Sequence, residues 1–170
     1  MNLKCLFFLI VPGLVICCTN NQNKSGEKIK ESAKITIPLI VDTITLTDEE
    51  LKDDSLDDAG YPTGTTWEHA GIKDSVLFKK FVKYLKTWVA NGEKELIAGT
   101  LDYPLSNPVI ENREDFIANY EKYFSDKVKN ALLSQKLSQI YHDRLGIRIQ
   151  NGEIWLKQTE DGFKIVAINN

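Results

Sequence analysis

Arg144 to Ile168 reads RLGIRIQNGEIWLKQTEDGFKIVAI, and two dipeptides in it decide the architecture of the C-terminal third. Asn151-Gly152 lies between GIRIQ and EIWLKQ, and Asp161-Gly162 precedes FKIVAI. Asn-Gly and Asp-Gly accept the positive φ of tight hairpin turns, and the flanking runs are rich in β-branched and aromatic residues, so three consecutive antiparallel strands are expected. With Gln150 and Glu153 flanking the first turn, Ile149 faces Ile154 and Ile147 faces Leu156 on one side. Arg148 faces Trp155 on the other. Side chains alternate with period two, so Ile165 and Ala167 are expected on the first face, and Val166 and Ile168 beside Trp155. Helices would cover the first face. The second would be an apolar patch of Trp155, Val166 and Ile168, with Arg148, Glu153, Lys157 and Lys164 as its rim.

Helices to cover that sheet lie upstream. In Lys73 to Leu105, KDSVLFKKFVKYLKTWVANGEKELIAGTLDYPL, Leu77, Phe78, Phe81, Leu85, Trp88 and Val89 recur at helical spacing. Lys79, Lys80, Lys83 and Lys86 fall largely on the opposite side. This helix starts at Thr65, where Thr-x-x-Glu to Glu68 makes a capping box, or at Asp74 after a break near Gly71. Asn91-Gly92 ends it. A short turn over Glu93 to Ala98 is closed by Gly99, and Thr100 to Leu105 is expected as a strand held to an edge by Pro104 and Pro108. Asn112, followed by Arg113-Glu114-Asp115, caps another helix with the buried stripe Phe116, Ile117, Tyr120, Tyr123 and Phe124. Ser125-Asp126 opens the last, with Val128, Leu132, Leu133, Leu137 and Ile140 toward the inside.

The N-terminal stretch is of another kind. All three cysteines, Cys5, Cys17 and Cys18, fall in the first eighteen residues, so no disulfide can form within the body from Thr19 onward. Lys4 precedes LFFLIVPGLVICC, an apolar run shorter than the ~20 residues of a membrane-spanning helix and interrupted by Pro12-Gly13, as in a secretory leader. Residues 14–18, LVICC, resemble a bacterial lipobox. The resemblance implies a signal peptide over residues 1–17 and a lipidated Cys18, with Cys17 as the alternative, and hence a protein anchored to a membrane of the bacterial envelope, facing the periplasm. Thr19 to Lys34 is polar and is expected as a tether with a reach of ~20 to 24 Å.

Residues 35–64 combine a β-branched run, Ile35 to Leu46, expected as a strand with Pro38 at its entry, and an acidic stretch, Thr47 to Asp58. The latter holds seven carboxylates and one lysine. Counted from Asp53, the sixth and twelfth positions are Asp58 and Gly64, where a calcium loop needs Gly and Glu. A solvated loop or a frayed helix remains, and a solvated acidic segment beside the lysines of the following helix is the expectation. Gly60 to Gly64 is turn chemistry, and residues 65–170 form the main domain.

With 170 residues, 42% of them apolar and 26% charged, one compact core is expected. A net charge of -3 and a pI near 5.5 offer no basic field for nucleic acid. Tyr141-His142-Asp143-Arg144 is the one His-containing polar cluster with acid-base potential, and His142 there reads as a surface residue or one at a helix C-terminus. Asp102 would be a base only if it pointed into an enclosed cavity; before Tyr-Pro it is ordinarily a turn acceptor. His69 has no second His or Cys near it, which leaves metal binding without support. There is no Gly-rich phosphate loop and no G-x-S-x-G elbow.

Three segments together, Trp88-Val-Ala-Asn-Gly-Glu-Lys-Glu-Leu-Ile-Ala, Asp102-Tyr103-Pro104-Leu105 and Asn112-Arg113-Glu114-Asp115-Phe116-Ile117, carry an order of elements that resembles the nuclear transport factor 2-like superfamily. The resemblance runs from about Ser75 to Asn170. It implies an α+β fold in which helices pack on one face of a curved antiparallel sheet, cone-like. Enzymes of that superfamily hold an Asp or a His/Asp pair inside the cone, and no such motif matches here. The functional expectation is a lipid-anchored envelope protein with a non-catalytic binding role, of inhibitor, immunity or accessory type. It would bind a protein partner, a second copy or a small ligand, without a cofactor. The alternative is a cone-fold enzyme acting on a small apolar substrate by general acid-base chemistry through Asp102 or His142.

Overall fold

The computed structural model describes residues 43–54 and 64–170. The chain divides into two units, Met1–Ala33 and Lys34–Asn170, and all described residues belong to the second. The fold is α+β: helices and an antiparallel sheet enclose one core.

The described end of the β-branched run, Thr43 to Leu46, is not in a strand. Thr47 starts a helix instead. Its hydroxyl accepts from Glu50 N at 3.3 Å while Glu50 Oε2 accepts from Thr47 N at 2.8 Å, a reciprocal cap that opens α1 (Asp48–Leu51). Leu46 reaches the core. The lysines of the next helix hold this acidic segment: Lys83 Nζ contacts Glu50 Oε2 at 2.7 Å and the Thr45 carbonyl at 3.2 Å.

Of the two possible starts of the long helix, Asp74 is the one used. Asp74 Oδ1 accepts from Leu77 N at 2.9 Å and opens α2 (Ser75–Asn91), while Thr66 to Gly71 make a separate hydrogen-bonded turn. Gly92, at φ 70°, ends α2 in the left-handed conformation expected of the Asn-Gly pair. Phe78, Phe81, Val82, Leu85, Trp88 and Val89 are buried along one side. Lys79 departs from the solvent side expected for it and is only 2% exposed, because the end of α1 lies over it.

After α3 (Lys94–Ala98), the expected strand Thr100 to Leu105 shrinks to two contacts. Leu101 bridges Ile165 in parallel, and β1 (Leu105–Ser106) pairs with β2 (Val109–Ile110) in a two-stranded ribbon. Pro104 and Pro108 lack the N–H groups a longer ladder would need. Asn112 caps α4 (Arg113–Ala118), its Oδ1 accepting from Asp115 N at 2.9 Å. Asn119 breaks the run before α5 (Tyr120–Tyr123). In α6 (Asp126–Ser134) Val128, Ala131 and Leu132 are buried, but Leu133 is turned outward and 39% exposed. The helix ends before Leu137, which enters the core from a 3-10 turn, Leu137–Gln139.

The sheet has four strands in the order β3-β4-β5-β6: β3 (Tyr141–Asp143), β4 (Gly146–Ile149), β5 (Ile154–Thr159) and β6 (Gly162–Ile168). The strand not expected is β3, because Tyr141 to Arg144 had the look of a helix end. Asp143 Oδ1 accepts from Leu145 N at 2.7 Å, and Gly146 at φ 132° completes the reversal into β4. The first Gly-centred hairpin has the register its flanking residues predict: Ile147 opposite Leu156, Arg148 opposite Trp155, Ile149 opposite Ile154. The second does not. A bulge at Trp155/Leu156 sets Ile165 opposite Leu156 but Ala167 opposite Trp155 and Ile168 opposite Ile154. The extra residue reverses the alternation beyond Val166, so Ile168 is in the core at 1% exposure and Ala167 takes its place beside Trp155.

Candidate functional site

Strand register builds a row across the sheet face turned away from Ile147, Ile149 and Ile154. Tyr141 pairs with Arg148, Arg148 with Trp155 and Trp155 with Ala167, and all four are partly exposed. The Arg148 guanidinium carbon stands 3.9 Å from the centroid of the Tyr141 ring, a cation-π contact that holds a long side chain flat. Tyr141 Oη reaches Asp143 Oδ2 at 3.3 Å. Gly152, at φ 98°, makes room for the row: a Cβ there would lie 3.2 Å from both Arg148 Cδ and Trp155 Nε1.

The rim differs from the expected one in part. Lys157 is exposed, and Lys164 is half-buried with its Nζ donating to the Gly99 carbonyl at 3.0 Å. Glu153 is 8% exposed and folds into the hairpin, where its Oε2 accepts from Asn151 N at 2.9 Å. Ile168 leaves the patch for the core, and Val166 remains partly exposed. Tyr141 is the member of the row that sequence reasoning missed. Asp143 to Gly146 carried the signal, since an Asx-type acceptor three residues before a glycine marks a reversal and so a strand on its N-terminal side.

The two candidate bases are placed apart. Asp102 is exposed; its N–H donates to the Ile165 carbonyl at 2.9 Å and fixes the backbone beside β6. His142 is 1% exposed, with Nδ1 3.1 Å from the Ile140 carbonyl and Nε2 3.1 Å from the Thr65 carbonyl. Its imidazole stacks on Trp67, centroids 4.3 Å apart and planes 15° apart. A base must present a free lone pair to substrate, and both nitrogens of His142 face acceptors.

Shallow clefts among the described residues include the following two. One, of about 370 Å³, runs along Ile117 to Lys122 beside Lys94. The other, of about 550 Å³, is lined by Lys127, Asn130, Leu133, Ser134, Gln150 and Glu153 among others. Neither contains Asp102 or His142. Among the described residues no group of three or more His, Cys, Asp or Glu side chains could hold a metal ion, and no helix is long and apolar enough to cross a membrane. Cys17 and Cys18 lie outside the described residues.

The chain matches no protein-family model, no curated protein and no solved structure.

Proposed function

We propose that this protein is a lipid-anchored protein of the bacterial envelope whose α+β body binds a protein partner through the sheet face centred on Trp155. The observation that carries the binding half is the row Tyr141, Arg148, Trp155 and Ala167. Tyr, Arg and Trp are the residue types that dominate binding hot spots, and here they sit adjacent on a four-stranded sheet. Arg148 is already ordered by its contact with Tyr141, so little side-chain entropy remains to be lost on docking. The anchoring half rests on LVICC after the apolar leader, with Cys18 as the lipidated residue and Cys17 as its alternative. The finer fold reading is a nuclear transport factor 2-like cone. Its support is the order of long helix, short helix, two-stranded ribbon, capped helix and antiparallel meander.

The anchor is tested by metabolic palmitate labelling of wild type, Cys18→Ala and Cys17→Ala; an unlabelled wild type overturns it. The binding face is tested with a photo-crosslinking residue at Lys157, exposed on β5, in cells expressing the full chain. A discrete adduct that Trp155→Ala abolishes in folded protein supports the reading. Absence of an adduct, or one indifferent to Trp155→Ala, removes it.

The general-base alternative draws no comparable support. His142 directs both nitrogens at main-chain carbonyls and Asp102 is exposed on the surface.

A further inference from the structure

Thr65, at the start of the strap Thr65 to Ile72, meets the outer edge of β3, the strand that ends the sheet on that side, and the attachment is reciprocal. Thr65 Oγ1 donates to the His142 carbonyl, while His142 Nε2 meets the Thr65 carbonyl at 3.1 Å. On the other side of the ring Nδ1 meets the Ile140 carbonyl, also at 3.1 Å. Carbonyl oxygens only accept, and a neutral imidazole has one N–H. One tautomer would set a lone pair against Ile140, the other against Thr65, in a site with 1% exposure and hence little water to intervene. Only the imidazolium donates to both.

The surroundings suit a cation at that place. The ring stacks on the Trp67 indole at 4.3 Å, whose face attracts positive charge. Trp67 Nε1 donates to Asp53 Oδ2 at 2.7 Å, which draws the indole proton toward a carboxylate and leaves the ring face more negative. The charged groups around this stack come from three elements. Asp53 and Asp54 come from the end of the acidic segment. Lys79, 5.7 Å from the Trp67 centroid, comes from α2. Asp143 and Arg144 follow His142 at the β3 turn, the Asp143 carboxylate lying on the opposite face at Tyr141. The Asp53 and Asp54 carboxylates act against the Lys79 charge, and Lys79 Nζ is itself directed to the Leu51 and Lys52 carbonyls.

From this geometry we infer that His142 is a proton-dependent latch: as an imidazolium it clamps the Thr65 to Ile72 strap onto the edge of β3, and loss of its second proton as pH rises releases the strap. The sign follows from the donor count. Protonation adds the second hydrogen bond and the cation-π contact, so the strap is held at low pH and loosened at high pH. Release uncovers Trp67 and bares the backbone edge of β3, a surface able to accept a further strand.

The chain contains two histidines, His69 and His142, and His69 is exposed on the strap itself. The full chain carrying His69→Gln, in detergent micelles, therefore has one imidazole to observe. Its two ring-nitrogen NMR shifts are followed against pH, because they converge in the imidazolium and separate in a neutral tautomer. Hydrogen-exchange protection of the Ala70, Gly71 and Ile72 amides, normalised for intrinsic exchange, is followed in parallel. These amides donate to Thr66, Trp67 and Glu68 carbonyls within the strap. The expected result is converged shifts at low pH, separation as pH rises, and a loss of protection of roughly tenfold or more over the same pH interval, the effect of one charge-assisted hydrogen bond. Shifts that stay separated at every pH where the chain is folded would overturn the inference, and so would a titration with unchanged strap protection. His142→Gln, which keeps one donor but cannot titrate, should show strap protection independent of pH; should it fail to fold, the His69→Gln titration decides alone.

Discussion

Lys79 Nζ donates to the main-chain carbonyl of Leu51 at 3.4 Å and to that of Lys52. The lysine stands in the first half of α2 with 2% exposure, and its acceptors are at the C-terminal end of α1, where helix carbonyls have no partner of their own. Burial holds its ammonium below the ordinary lysine range, and the carboxylates of Asp53 and Asp54 offset part of that effect. The sign of the linkage is then set: the unfolded chain binds more protons than the folded one between the depressed value and the ordinary one, so this group makes stability rise with pH in that interval. Urea midpoints of wild type and Lys79→Met, measured at pH 7 and near pH 10, should show the difference moving in favour of wild type at the higher pH. A difference that is flat, or moves the other way, excludes the desolvated ammonium.

A tyrosine titrates with the opposite sign. Tyr120 Oη is buried without a hydrogen-bond partner among the described residues, and burial pushes its phenol up to about 12, with Glu121 adding to the effect. Above pH 10 the unfolded chain ionises first, so stability falls as pH approaches 12. Tyr120→Phe removes a buried hydroxyl that has no partner and keeps the ring that meets Phe116 and Phe124. We expect a gain of roughly 0.5 to 1.5 kcal/mol near pH 7 and a shallower alkaline loss, read from denaturant titrations at both pH values. Destabilisation by Tyr120→Phe would mean that the hydroxyl has a partner in solution.

The turn that creates β3 depends on a residue without a side chain. Gly146 sits at φ 132°, and a Cβ there would fall 2.9 Å from the Leu156 carbonyl oxygen and 3.2 Å from Lys157 Cγ. The first neighbour is backbone and cannot swing aside. Gly146→Ala should cost roughly 2 to 4 kcal/mol, combining conformational strain with overpacking. Gly71→Ala, at φ 77° with open space around it, should cost roughly 1 to 2 kcal/mol from conformation alone. Thermal or chemical melts rank the two.

The parts of this fold that could be read in advance are those in which a local signal and the hydrophobic pattern agree. Asn151-Gly152 places a turn, and the isoleucines on either side can pair in one register only if they are to share a face, hence Ile147 with Leu156. Asp74, Gly92 and Asn112 are caps whose chemistry is complete within a few residues. What escaped reading depends on distant chain. Lys79 looks like a solvent residue until Leu51 and Lys52 cover it. Tyr141 to Asp143 is only three residues long, too short for period two to show. His142 finds its two carbonyls at Ile140 and, far upstream, at Thr65. The row proposed for binding was half legible: Arg148 beside Trp155 follows from the first hairpin, whereas its other two members, Tyr141 and Ala167, require the unread strand and the bulge.

The bulge yields the most direct test of the sheet. Val166 and Ile168 are both apolar, so either could face the core as far as composition goes, and uninterrupted alternation from Ile165 would have placed the two together beside Trp155. The observed register shift between Trp155 and Leu156 separates them: Ile168 is 1% exposed opposite Ile154, and Val166 keeps partial exposure. Truncating a buried isoleucine to alanine typically costs about 2 to 5 kcal/mol, through lost transfer energy and the cavity left behind, whereas a half-exposed valine loses little buried surface. We therefore expect Ile168→Ala to destabilise by about 2 to 4 kcal/mol and Val166→Ala by less than about 1 kcal/mol. Equilibrium unfolding of the two variants checks the order. Equal small losses would return Ile168 to the face of Trp155 and remove the bulge.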